Sequence, residues 1–92
     1  MSKKYNYAKS FGAIIRANGQ PHLNDYQYRR MWNIVCMDYY LAALYRAKEL
    51  YANTEYFNRL DLEIFQASKK LTDLTGNLSP EELMIELHKH SQ

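Results

Sequence analysis

The sequence predicts an all-α fold: a small antiparallel helical bundle of three main helices plus a short N-terminal helix. Three observations carry that expectation. Apolar residues recur at spacings of three and four, with no sustained alternation of the kind a half-buried strand shows, and Val and Thr are scarce. Breaks in this periodicity fall at Asn-Gly, Asn-Thr and Gly-Asn pairs, beside residues able to cap a helix. One segment, 57–74, keeps a heptad spacing, the pattern of a helix seated on a helical neighbour.

The first helix is expected over about 5–17, with Ala8, Phe11, Ile14 and Ile15 on one face; Asn18-Gly19 tolerates a left-handed C-cap, and Pro21 blocks continuation. The second start is more fully written. Asn24 is placed to cap free amides, Gln27 stands three residues later as its reciprocal partner, and Leu23 is positioned to staple onto Tyr28. No Gly or Pro follows until well past residue 52, so this helix, about 25–52, is the expected spine, roughly 42 Å long at about 1.5 Å per residue. Tyr28, Trp32, Val35, Tyr39, Ala42, Ala43 and Leu50 form one apolar stripe on it, and Ile34, Leu41 and Tyr45 a second, which predicts helices packed on both sides.

Asn53-Thr54 offers capping side chains for a third helix over about 55–75, where Phe57, Leu60, Ile64, Ala67, Leu71 and Leu74 make the heptad seam. Gly76-Asn77 stops it. Ser79-Pro80-Glu81-Glu82 is a capping box with Pro at the first helical position, and Leu78 is placed to staple onto Leu83, so a last helix is expected over about 80–89. Connections this short favour antiparallel neighbours, and residues 1–92 read as a single helical domain.

Composition narrows the class. At 47% hydrophobic and 24% charged, with three Gly and two Pro, the chain is that of a packed globule. Its one cysteine has no internal partner, no apolar run follows the opening Met-Ser-Lys-Lys-Tyr as in a signal peptide, and no stretch approaches a membrane span; a cytoplasmic location and no membrane association are expected. The net charge of +2 conceals an asymmetry: residues 1–46 carry seven Lys/Arg against Asp25 and Asp38, while residues 47–92 carry five against eight Asp/Glu. All nine tyrosines lie in the first 56 residues, so the basic half is also the tyrosine half.

Little in the sequence suggests catalysis. His88 and His90, two residues apart, project to different sides of a helix, and with only Glu86 at a suitable offset they read as part of a solvated, fraying C-terminus rather than as metal ligands; His22 reads as a loop residue. Cys36, between Val35 and Met37 in the spine, is expected in the core. There is no phosphate-binding loop, nucleotide fingerprint, nucleophile elbow or zinc spacing, so no enzyme, cofactor or metal is expected. The stretch from Glu63 to Asp73 resembles the Ser-Gln-x-Leu-Asp region of a family of small aspartyl-phosphate phosphatases, helical hairpins that act on response regulators. Ser68 and Leu71 match. Lys69 stands where that family has Gln and Thr72 where it has Asp, with Asp73 one position late, so the polar residues the activity needs are absent or displaced.

The feature that does point to function is a mixed face of the long helix. Tyr26, Arg29, Arg30, Asn33, Met37, Tyr40, Leu44, Lys48 and Tyr51 fall within about a third of the circumference at roughly 100° per residue. Tyr, Met and Arg are enriched at protein interfaces, so the expected function is a non-enzymatic protein-binding modulator or inhibitor; in size and composition the chain is similar to small proteins of phages and mobile elements that occlude a host protein. The alternative is a nucleic-acid-binding regulator, with Lys and Arg on phosphates and Tyr stacked on bases. A third possibility is that the face packs under the N-terminal segment; a homodimer is also compatible with the sequence.

Overall fold

The computed structural model describes residues 6–91 and contains four helices: α1 (Tyr7–Asn18), α2 (Asp25–Leu50), α3 (Tyr56–Thr75) and α4 (Pro80–Lys89). Among the described residues there is no strand, and α2 packs against α3 and against α1 and α4, as the all-α expectation required. The helix boundaries agree with the sequence reading to within about two residues, apart from the start at residue 5, which lies outside the described residues.

α1, α2 and α4 start where an N-cap side chain replaces a missing backbone partner, whereas the N-cap of α3, Glu55, makes no such bond. Asn6 accepts from Lys9 N at 3.0 Å, Asn24 from Gln27 N at 2.9 Å, and Ser79 from Glu82 N at 3.3 Å, with Glu82 Oε1 accepting from Ser79 N at 3.3 Å to complete the box. Thr54 serves both sides of its turn: its hydroxyl donates to Tyr51 O at 2.8 Å and accepts from Tyr56 N at 3.3 Å. Gly76, with φ 62°, closes α3 in the left-handed region. The expected reciprocal role of Gln27 is not realised. Gln27 is buried, and the Asn24 backbone N–H donates to Ser91 Oγ at 3.2 Å, while Asn24 Nδ2 donates to His90 O at 3.4 Å. The end of α4 is therefore docked on the start of α2 rather than frayed, and His90 Nε2 pairs with Glu86 Oε1 at 2.9 Å instead of standing loose.

Two clusters make up the core. At one end, Tyr7 and Phe11 of α1, Met31 and Ile34 of α2, and Leu83, Met84 and Leu87 of α4 pack together, with Leu74 and Leu78 against them. The Tyr7 hydroxyl donates to Leu78 O at 2.6 Å and Asp38 Oδ2 accepts from Ala8 N at 3.2 Å, so the first two residues of α1 are held by neighbours. Burial pushes the Asp38 carboxyl above the ordinary aspartate value, against the lowering effect of the Ala8 and Tyr7 backbone amides. At the other end only α2 and α3 remain, joined through Leu41, Leu44, Ile64 and Ala67. Pairs such as 30/74, 40/63 and 48/61 run in opposite directions, so this is an antiparallel hairpin. It projects from the four-helix end and gives extents of 49 × 25 × 23 Å. The radius of gyration is 15.0 Å, against about 12 Å for a spherical domain of this length.

The α3 seam is seated as its spacing predicted: all six residues are buried or half-buried, and Leu62 and Phe65 on the opposite side are exposed. On α2 the expected stripes need correction. Gln27, Met31, Ile34, Leu41 and Leu44 are buried, while Trp32, Tyr39, Ala42, Ala43 and Leu50 are exposed. The reason is the hairpin geometry. Beyond residue 38 a single helix covers α2, so among the described residues one of its apolar sides stays exposed.

Candidate functional site

The mixed face of α2 lies along its junction with α3, and among the described residues it is α3 that reaches Arg30, Tyr40 and Lys48. Arg30 Nη2 donates to Leu74 O at 3.2 Å. α3 has no basic residue of its own in its last turn, so Arg30 supplies the positive charge that the helix C-terminus favours. Lys48 Nζ lies 2.7 Å from Asp61 Oδ1 and 5.0 Å from the centre of the Phe57 ring. Leu44 is buried in the hairpin core and Met37 half-buried beside it. Tyr40 donates through its hydroxyl to Glu63 Oε2 at 3.2 Å, and that carboxylate raises the Tyr40 pKa above its ordinary value by hydrogen bonding and by charge.

What remains open is a groove of about 430 Å³, lined by Asn33, Cys36, Met37 and Tyr40 from α2 and by Lys70 and Leu74 from α3. Met37 and Leu74 offer apolar surface, while the Asn33 amide, the Tyr40 hydroxyl and the Lys70 ammonium supply polar groups. Three of the nine residues of the mixed face, Asn33, Met37 and Tyr40, therefore line one groove. Arg30 and Lys48 are tied to α3, Tyr26 and Arg29 are exposed towards the start of α2, and Tyr51 lies past its end, edge-to-face with Tyr56 at 5.9 Å.

Cys36 is exposed, contrary to the core position expected from its apolar neighbours. It lies about 160° from Ile34 around α2, on the solvent side, where Val35 and Met37 say nothing about its burial. The groove lining contains no His, Asp or Glu to act as base for its thiol. Lys70 and Leu74 were missed as groove residues because only pairing of α2 with α3 brings them there. The exposure of Leu62 and Phe65, by contrast, was available from the heptad, since both lie opposite the seam.

Among the described residues, no group of three or more His, Cys, Asp or Glu side chains comes together as a metal site, and no helix is long and apolar enough to cross a membrane. The chain matches no protein-family description, and no curated protein or solved structure shows significant similarity to it.

Proposed function

We propose that the protein is a non-enzymatic protein-binding modulator or inhibitor, acting in the cytoplasm, with the α2–α3 junction around Asn33, Met37 and Tyr40 as its contact surface. The observation that carries this reading is the distribution of exposed large apolar side chains. Among the described residues, ten of the eleven lie on α2, on the turn after it or on α3, Tyr40 in the groove itself, and Ile85 lies on α4. At the groove itself, Tyr40 and Met37 stand beside the Asn33 amide and the Lys70 ammonium, a mixture of large contact side chains and polar groups of the kind found at protein interfaces. The same geometry weakens the nucleic-acid reading. Arg30 and Lys48 are engaged by Leu74 O and Asp61, which leaves Arg29 and Lys70 as the exposed cations beside the groove.

The test compares wild type with Tyr40→Ala as immobilised bait in extracts of the native host. A protein held by wild type and reduced at least about tenfold by Tyr40→Ala, with an unchanged far-UV spectrum, supports the proposal. Binding to DNA or RNA with a steep salt dependence, its log–log slope reduced by about one in Arg29→Ala, overturns it in favour of nucleic acid.

A further inference from the structure

A second heptad stripe lies on the outer side of α2. Trp32, Cys36, Tyr39, Ala43, Arg46 and Leu50 follow one another at spacings of 4, 3, 4, 3 and 4. All six are exposed, and Trp32, Tyr39 and Leu50 reach 59%, 65% and 75%. On the helical wheel the stripe is centred about 160° from the side that meets α3 and away from the Met31 side that meets α1 and α4; Cys36 lies at its edge, where it also lines the groove, and among the described residues all six members of the stripe stay exposed.

We propose that this stripe is the seam of a homodimer, with α2 packed antiparallel on α2 of a second copy about a twofold axis near Leu41. The sequence of the stripe is complementary to its own reversal. The antiparallel register places Trp32 against Leu50 of the second copy, Tyr39 against Ala43, and Cys36 against Arg46, so that each layer joins one a and one d position and the central one sets a large ring on a small side chain. Arg46 then falls between the Trp32 and Tyr39 rings of the second copy, whose faces attract a guanidinium. Flanking positions bring Glu49 near Val35, Asn33 near Ala47 and Tyr40 near Tyr40, with no like charges opposed. A parallel pairing would instead set Arg46 directly on Arg46. With about 150 Å² exposed on each aromatic, the stripe supplies on the order of 600 Å² per copy, or roughly 1,200 Å² in the pair, the lower end of the range for specific interfaces.

Two measurements on the full chain decide the matter. Sedimentation across a concentration series is expected to show twice the 11.0 kDa chain mass, and Tyr39→Lys to shift the protein to monomer with an unchanged far-UV spectrum. A monomer at every concentration up to the solubility limit, or a dimer that survives Tyr39→Lys, overturns the proposal. Arg46→Cys reports the register. The introduced thiol lies about 15 Å along the helix from Cys36 of its own chain, beyond disulfide reach, but opposite Cys36 of the second copy. Mild oxidation should therefore link Arg46→Cys into a covalent dimer while leaving wild type and Leu62→Cys largely unlinked. Linking of wild type through Cys36 alone, equal linking of Leu62→Cys, or no linking of Arg46→Cys overturns the antiparallel seam.

Discussion

Leu71 is the side chain through which the two core clusters meet: it packs against Ile64 and Ala67 on the hairpin side and against the Met31, Ile34 and Leu83 group on the other. Leu71→Ala removes three carbons from that junction. A fully buried Leu→Ala costs about 2–5 kcal/mol, and because Leu71 is half-buried the expected loss is about 2 kcal/mol, at the lower end. For a domain of this size that corresponds to a fall in Tm of roughly 8–16 °C. Urea unfolding followed by far-UV circular dichroism measures it directly. The control is Phe65→Ala on the same helix, 68% exposed and opposite the seam, where the cost should be about 0.5 kcal/mol or less. A Leu71→Ala midpoint within error of wild type, or a Phe65→Ala loss of equal size, would refute the account of how α3 is seated.

The capping box of α4 gives a second prediction. Ser79→Ala should cost about 1 kcal/mol and speed amide exchange at residues 81–83, because Glu82 N loses its acceptor. Ser79 holds the Glu82 carboxyl below its ordinary value through its side chain and its backbone N–H. The contribution of Glu82 is therefore present above the ordinary glutamate range and lost as pH falls through the depressed folded value, so the gap between wild type and Ser79→Ala should narrow in acid. Asp38 has the opposite sign. Its folded value is raised by burial, so its favourable contribution is full below the ordinary aspartate value and is lost as pH rises through the raised one. Asp38→Asn keeps an acceptor for Ala8 N and should gain on wild type as pH rises through that window; a difference curve of the reverse slope would refute the burial argument.

Capping and periodicity are local properties, and they were legible from the sequence. Asn24 and Ser79 open their helices because a side-chain oxygen reaches a free amide three residues on, and Thr54 accepts from Tyr56 N in the turn before α3; no distant part of the chain is needed for either. The α3 seam was legible for a similar reason. A helix with a single apolar stripe has only one side to bury, and its spacing names the residues. The tertiary structure decided which sides of α2 are covered. Apolar residues occur on nearly every side of that helix, so its own pattern does not distinguish Met31 and Ile34, which are buried, from Trp32 and Tyr39, which are not. The distinction comes from length: α1 and α4 reach only the first half of α2, and α3 lies along one flank of the rest. The same arrangement draws Arg30 and Lys48 of the basic face onto α3, exposes Cys36, and uses Ser91, sixty-seven residues away in sequence, to complete the start of α2. These are long-range pairings, and spacing along one helix carries no information about them.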